Sequence, residues 1–189
     1  YVIDATHPFA LIISKNLNEA CKIIKKSLLV FERKSEIKPF KNFYYISGLK
    51  DINKEALVNK NILLAIGSRL LNETASYYLK CGANVFTRVM PTHESISKAF
   101  GSCINNSNIA ILEPSNKKGN ILEKKLCDHW KIDYVLCRDS GSYAQINWEE
   151  IVYESDLKLF LVRRPKLKYK NPFIFFDYDK LINQIKRKN

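Results

Sequence analysis

Short apolar runs alternate with stretches of helical periodicity along most of the chain. The clearest helical stretch covers residues 8–26, where apolar residues recur at spacings of three and four with lysines between them. Further helices are predicted at residues 70–80, 92–100, 120–130, 148–154 and 178–187. Apolar runs predict strands at residues 1–3, 28–32, 43–46, 61–66, 84–89, 108–112, 133–137 and 157–162.

The order of these elements indicates the fold class. Single helices separate strands that are apolar almost throughout, a pattern typical of parallel sheets covered on both faces. We therefore predict an α/β fold with mostly parallel sheets. A change of pattern at residues 88–91 predicts a boundary between two α/β units. Residues 1–88 would be the C-terminal remainder of the first unit, and residues 89–189 the second.

Composition narrows the class of protein. With 189 residues, 46% of them hydrophobic, the chain is long enough to bury a substantial core. No apolar run approaches the ~20 residues that cross a membrane, and no leader pattern opens the chain, so we expect a cytoplasmic protein without membrane contact. The five cysteines include no C-x-x-C pair, which favours reduced thiols over a disulfide framework or a zinc site.

The charge balance is strongly basic, with 31 Lys and Arg against 19 Asp and Glu and a net charge of +12. A solvated, lysine-rich surface explains most such cases, and the alternatives are a polyanionic small molecule or nucleic acid. The basic residues are spread from Lys15 to Lys188 with little aromatic interleaving. Nucleic acid is therefore the least favoured partner.

Polar or small residues follow three of the predicted strands. They lie at residues 4–7, 67–69 and 138–141. The carboxyl ends of parallel strands share one edge of a sheet, and ligands bind at that edge in open α/β folds. Gly67-Ser68 and Ser140-Gly141 each precede a predicted helix and offer backbone donors to a phosphate or carboxylate. A simple helix cap is the alternative for each pair.

Three titratable side chains in these segments are candidates for chemistry. His7 can donate to a carboxylate or carry a proton, although a histidine that only fixes its own loop is an equal alternative. Asp4 and Asp139 are candidate acids, with helix capping as the alternative. The three histidines lack metal-ligand spacing, so no metal site is predicted. The residues alone therefore indicate an α/β enzyme with an anion-binding edge.

Five segments together resemble the precorrin-6A reductase family of cobalamin biosynthesis, which includes a cobalt-precorrin-6A form. They are Asp-Ala-Thr-His-Pro-Phe-Ala at residues 4–10 with Ile-Ser at 13–14, Leu-Ala-Ile-Gly-Ser-Arg at 64–69, Arg-Val-Met-Pro at 88–91, Arg-Asp-Ser-Gly at 138–141 and Val-Arg-Arg-Pro at 162–165. The first segment is the most specific. Together they span nearly the whole chain.

The resemblance implies two Rossmann-like units with a cleft between them, and reduction of a carbon–carbon double bond by NADPH or NADH. The implied substrate is a tetrapyrrole with many carboxylates, which a basic cleft suits. Asp139, and second to it His7, would supply a proton. The implied cofactor-binding residues are Gly67, Ser68, Arg69, Ser140 and Gly141. The implied substrate-binding residues are Asp4, Thr6, His7, Ser14, Arg88 and Arg163.

Two segments depart from the family pattern. Family members begin with a strand and a Gly-Thr turn for the cofactor phosphates, whereas this chain begins at Tyr1 inside a predicted strand and has Met90 as its only methionine. We therefore expect an N-terminal segment outside this sequence. Ser-Tyr-Ala-Gln at residues 142–145 replaces a paired glycine and a later lysine. A non-catalytic tetrapyrrole-binding domain, or a degenerate reductase, is the alternative function.

Overall fold

The computed structural model describes residues 1–35, 40–48, 51–113, 120–166 and 173–187. These residues form nine strands, six α-helices and two short 3-10 helices, at Glu55–Leu57 and Asn106–Asn108. The strands are β1 (Val2–Asp4), β2 (Leu28–Phe31), β3 (Phe43–Ile46), β4 (Asn61–Ala65), β5 (Asn84–Val89), β6 (Ile109–Ile111), β7 (Tyr134–Arg138), β8 (Lys158–Val162) and β9 (Ile174–Phe175). The helices are α1 (Leu11–Ile23), α2 (Leu71–Lys80), α3 (His93–Phe100), α4 (Ile121–Trp130), α5 (Tyr143–Tyr153) and α6 (Tyr178–Lys186).

The chain divides into two compact units that do not follow the sequence in a simple order. Unit 1 consists of Tyr1–Glu36 together with Arg164–Asn189, and unit 2 is Ile37–Arg163. The boundary predicted between residues 88 and 89 differs from this division because it falls inside β5. That strand pairs with β4 on one side and β6 on the other, so the change of pattern at residues 88–91 marks only the end of a strand.

Unit 1 is built on a parallel sheet in the order β1-β2-β9. Its core is formed by Cys21 of α1 against Leu28 and Val30 of β2. The short strand β9 was not predicted from the sequence. It joins β2 through the register pairs Val30↔Ile174 and Phe31↔Phe175.

Unit 2 contains a six-stranded parallel sheet in the order β3-β8-β7-β4-β5-β6. Helices α4 and α5 pack on one face, where Cys127, Trp148 and Ile151 share a buried cluster with Val135 and Leu159 of the sheet. Helices α2 and α3 contact each other and β5. The predicted α/β class with parallel sheets is confirmed, since every strand pair described in either sheet is parallel.

The direction of the chain reverses at the centre of the unit 2 sheet. From β4 the chain moves through α2 to β5 on one side, whereas from β7 it moves through α5 to β8 on the other side. Because β4 and β7 are neighbours, the two following segments diverge at the carboxyl ends of these strands, and such a divergence is expected to open a crevice. Open α/β sheets bind their ligands at such a switch point.

Two helices begin elsewhere than the periodicity predicts. Helix α1 begins at Leu11 because His7, Pro8 and Phe9 form a turn, in which the Phe9 N–H donates to His7 Nδ1 at 3.2 Å. Helix α5 begins five residues before the predicted start at residue 148. Its first two turns bury Gln145 and Asn147, and these polar residues on the inner face interrupt the apolar period.

Candidate active site

Gly67 and Arg138 meet at the switch point of the unit 2 sheet. Ala65 of β4 pairs with Cys137 of β7, which places the two following segments side by side and confirms that these two share one edge. The prediction that residues 4–7 lie at the same edge is wrong, because β1 belongs to the sheet of unit 1. Gly67 has φ of +78°, and a Cβ built on it would lie 3.0 Å from Arg138 Nη2. The guanidinium therefore rests against the glycine backbone, in space that another residue's side chain would need.

Two positive charges lie close together at this edge. Burial lowers the pKa of Arg138, and the charge of Arg69 lowers it further. Next to Arg69, the Ser68 hydroxyl lies 3.4 Å from the hydroxyl of Ser95 in α3. Neighbouring guanidinium groups repel each other, and a bound phosphate or carboxylate relieves that repulsion through charge-assisted hydrogen bonds. Arg138 was not among the predicted binding residues, although it is the last residue of β7 and so lies at the predicted ligand-binding edge.

The segment after β7 carries Asp139, whose side chain is buried at 8% exposure. The Asp139 N–H donates to the Val162 carbonyl at 3.0 Å, which ties the loop to β8. The next two N–H groups, of Ser140 and Gly141, both donate to Gln145 Oε1, at 2.6 and 2.7 Å. The predicted cofactor contact of Ser140 and Gly141 is not supported, because an internal amide already uses these donors.

A buried carboxyl group continues this network. Gln145 Nε2 donates to Glu149 Oε1 at 2.7 Å, one turn further along α5. Burial raises the pKa of Glu149, and the negative charge of Asp139 raises it further, although the hydrogen bond from Gln145 opposes both. The carboxyl group of Asp139 therefore acts on that of Glu149.

The raised pKa of Glu149 leads to a testable pH dependence. Because folding raises this pKa above its ordinary value of 4.5, the folded state holds the proton more tightly, and the stability that Glu149 contributes is lost as pH rises through the folded pKa. Glu149→Gln removes this titration. We expect the variant to gain stability relative to wild type as pH rises above 4.5.

Urea unfolding at several pH values measures this difference, with Glu55→Gln at an exposed position as the matched control. A stability difference between Glu149→Gln and wild type that is the same at every pH would contradict the expectation.

Unit 1 presents a second polar cluster, around a cavity of about 40 Å³. Its lining includes Asp4, Thr6, His7, Ser14 and Arg164. Asp4 Oδ1 accepts from the Thr6 N–H at 3.0 Å and from the Thr6 hydroxyl at 2.7 Å, and the Thr6 and Ser14 oxygens are 3.2 Å apart. The predicted substrate residues Asp4, Thr6, His7 and Ser14 are thus brought together.

The direction of these hydrogen bonds determines what the cluster can bind. The Thr6 hydroxyl has one hydrogen, which goes to Asp4, so the Ser14 hydroxyl must donate to Thr6. Both hydroxyl hydrogens therefore point inward, and neither can donate to a carboxylate. Asp4 Oδ2 is buried without a hydrogen-bond partner among the described residues. Residues other than Thr6 and Ser14 must therefore donate the hydrogen bonds to a carboxylate bound in this cavity.

His7 and Arg164 are the donors that line this cavity. His7 Nδ1 accepts the Phe9 N–H, so neutral His7 carries its hydrogen on Nε2, where it can donate. Arg164 Nη1 donates to the carbonyl of Arg33 at 2.6 Å, which holds its guanidinium beside β2. Arg164 was not predicted as a binding residue, although it adjoins Arg163 in the Val-Arg-Arg-Pro segment.

The two arginines that were predicted to bind substrate, Arg88 and Arg163, lie in different surroundings. Arg88 is buried at 8% exposure, with Nη2 4.0 Å from Glu123 Oε1, and burial lowers its pKa despite the opposing charge of Glu123. This placement indicates a structural role rather than the predicted contact with a substrate carboxylate. Arg163 is exposed, with its guanidinium carbon 4.4 Å from the centre of the Tyr45 ring, and is accessible to an anionic ligand.

The cysteines have no catalytic surroundings. All five are free, and burial raises the pKa values of Cys127 and Cys137 to about 12, so neither is a thiolate near neutral pH. In the ranges that the structure describes, no group of three or more His, Cys, Asp and Glu side chains is placed to hold a metal ion. None of the described helices combines the length and apolar character needed to span a membrane.

Comparison with known proteins places the chain in a family. The model of the family described as Precorrin-6x reductase CbiJ/CobK matches residues 1–186. The cobalt-precorrin-6A reductase of Methanocaldococcus jannaschii is 30% identical over 187 residues, which cover 97% of this chain and 71% of that protein. The cobalt-precorrin-6A reductase of Priestia megaterium is 24% identical, with coverages of 97% and 73%.

A solved structure agrees with this assignment at the level of the fold. The chain superposes on CobK precorrin-6A reductase with a TM-score of 0.76 at 17% identity, covering 98% of this chain and 72% of that one. The same α/β architecture thus underlies both. The family match over nearly the whole length, together with the relative at 30% identity, shows that this chain belongs to the precorrin-6x reductase CbiJ/CobK family.

Proposed function

We propose that this protein reduces a carbon–carbon double bond of the precorrin-6A macrocycle, or of its cobalt form, in cobalamin biosynthesis, with NADPH or NADH as the source of electrons. The observation that carries the proposal is the pairing of Gly67 with the Arg138 guanidinium at the switch point of the unit 2 sheet, in a chain of the reductase family. Asp139 lies in the loop beside that switch point.

The crevice suits the phosphates of a nicotinamide dinucleotide. Gly67 has no side chain to obstruct the approach, Arg69 and Arg138 supply charge, and Ser68 supplies a hydroxyl. These residues would hold the cofactor, whose reduced nicotinamide supplies the two electrons of the reduction. Ser140 and Gly141 do not fit this role, because their N–H groups donate to Gln145.

Reduction of a carbon–carbon double bond also requires a proton at one of the two carbons. We assign it to Asp139, because its carboxyl group lies at the carboxyl end of β7, beside the crevice, and a carboxyl group can hold and release a proton. Burial to 8% exposure limits exchange of that proton with water. His7, which is exposed in unit 1, is the second candidate.

The substrate's carboxylates require cationic partners. In unit 1, His7 and Arg164 are assigned this role, while Asp4, Thr6 and Ser14 hold the loop that carries His7. In unit 2, the exposed Arg163 is assigned the same role. The net charge of +12 supports binding of a polyanion, because it raises the local concentration of such a ligand.

An anaerobic assay tests the proposal directly. Oxidation of NADPH and NADH would be followed with precorrin-6A and with its cobalt form, using this chain and a form extended at its N-terminus to the length of the relatives. Turnover that requires both reactants supports the proposal. If neither form shows turnover but both still bind the macrocycle, the reductase proposal is wrong and a non-catalytic tetrapyrrole carrier is the better description.

A glycine substitution tests the cofactor crevice. Gly67→Ala and Gly82→Ala both place a side chain at positive φ, and each is expected to destabilise the protein by about 1–2 kcal/mol. Only Gly67→Ala brings a Cβ within 3.0 Å of Arg138, so it alone should raise the KM for the nicotinamide, by about tenfold. Thermal unfolding and steady-state kinetics measure the two effects. Equal KM values in both variants would place the cofactor elsewhere.

A further inference from the structure

Gln145 makes three hydrogen bonds at the start of α5, and it is 2% exposed. Its side-chain oxygen accepts from the N–H groups of Ser140 and Gly141, at 2.6 and 2.7 Å, and its side-chain nitrogen donates to Glu149 at 2.7 Å. The side chain thus joins the loop after β7 to a carboxyl group one turn further along the same helix.

The donors and acceptors around Gln145 determine the orientation of its amide. Both backbone groups are donors, so the atom that faces them must be the oxygen. The nitrogen then faces Glu149, whose Oε1 accepts whether the carboxyl group is ionised or carries its proton on the other oxygen. If the amide were flipped, its NH2 group would face the N–H groups of Ser140 and Gly141, and its oxygen would face Glu149 Oε1. Neither contact would then be a hydrogen bond to an ionised Glu149. Glu149 therefore holds Gln145 in the one orientation that binds the loop.

The loop depends on these bonds for its shape. Gly141 has φ of +63°, one of many conformations open to glycine, so hydrogen bonds are needed to select it. Asp139, directly before the two clamped N–H groups, is tied to β8 through its own N–H and the Val162 carbonyl. Three successive N–H groups, of residues 139 to 141, are therefore anchored on two elements of unit 2. Loss of the Gln145 oxygen would leave two buried or half-buried donors without their acceptor.

We propose that Gln145 is the positioning residue of Asp139 and that Glu149 orients the Gln145 amide for this task. The inference rests on the proposed function, since it concerns the group assigned to the proton. A glutamine three residues after a serine N-cap is also the sequence signature of a capping box, which stabilises a helix start. In that motif the side chain reaches back to the N-cap N–H, whereas here it reaches one and two residues further, to the loop that carries Asp139.

Gln145→Leu tests the inference, with Gln184→Leu in α6 as a control that makes the same chemical change. Hydrogen–deuterium exchange of the Ser140 and Gly141 amides should become at least tenfold faster in Gln145→Leu alone. The kcat should fall by about tenfold to 100-fold, as expected when a reacting group is displaced by about 1 Å, while the KM values for both reactants stay within threefold. Thermal unfolding separates these local changes from a loss of the fold.

Two substitutions of Glu149 test the orienting role. Glu149→Gln keeps an oxygen that accepts from Gln145 and should preserve slow exchange at Ser140 and Gly141. Glu149→Leu removes the acceptor and should reproduce the fast exchange of Gln145→Leu. The exchange measurement needs no turnover, so an inactive wild type would defeat the proposed function and leave this test intact. Unchanged exchange in Gln145→Leu, or an unchanged kcat in an active enzyme, would overturn the inference.

Discussion

Asp139→Asn is expected to lower kcat by about 100-fold or more, with little change in the KM for the macrocycle. Asparagine has nearly the same shape and can occupy the same position at the end of β7, but it has no proton to give to a carbon. Positioned general acids contribute about 10²- to 10⁴-fold to the rates of enzymes, which sets the size of the expected loss. Steady-state kinetics with saturating nicotinamide and varied macrocycle measures it.

Asp128→Asn is the matched control, because Asp128 is an exposed aspartate on α4 and has no part in the proposed site. It should leave kcat and both KM values as they are in wild type. A kcat of Asp139→Asn within about twofold of wild type would remove Asp139 from the proton path. His7→Gln would then be the next variant to examine, since His7 is the second candidate.

Arg88→Met is expected to lower the free energy of unfolding by about 3 kcal/mol or more. The substitution leaves Glu123, buried at 2% exposure, without the positive charge that lies 4.0 Å from it. The double variant Arg88→Met with Glu123→Leu removes both charges and should recover most of the loss, because a buried pair can be replaced by apolar residues at little net cost. Both tryptophans, Trp130 and Trp148, belong to unit 2, so their fluorescence in urea reports its unfolding.

Lys98→Met is the control for this experiment, because Lys98 forms an exposed pair with Glu94 on α3 and such pairs contribute little. If Arg88→Met is as stable as wild type but binds the macrocycle more weakly, Arg88 is a substrate residue, as the resemblance implied. If the double variant is as unstable as the single one, the lost stability comes from packing rather than from the unpaired carboxylate.

The elements of the fold were largely predictable because their patterns are local. The bounds of β3 and β5 are those that the apolar runs predict, and the helices α2, α3 and α4 begin within a residue of their predicted starts. Helix α5 was predicted too short because polar Gln145 and Asn147 face the core, for which hydrophobic periodicity has no signal. The capping pattern of Ser142 and Gln145 does mark the true start.

The division into units was not predictable in this way. It depends on which sheet the two residues of β9 join, and pairing between distant strands leaves no local pattern. The same limit applies to the site. Strand ends predict that Gly67 and Asp139 flank one crevice, but only the three-dimensional contacts show that Gln145 occupies the donors of the loop and that Arg88 is paired with Glu123.

The position of β9 has a consequence for protein synthesis. Strands β1 and β2 are synthesised before unit 2, but β9 can pair with β2 only when residues 174–175 appear, after all of unit 2 has been made. At about 5–20 residues per second, the edge of β2 stays unpaired in the nascent chain for about 7 to 30 seconds. All six strands of unit 2 have been synthesised before that moment, so the sheet of unit 2 can form first. The edge of β2 that β9 later covers is therefore the part of unit 1 that most needs protection by chaperones during translation.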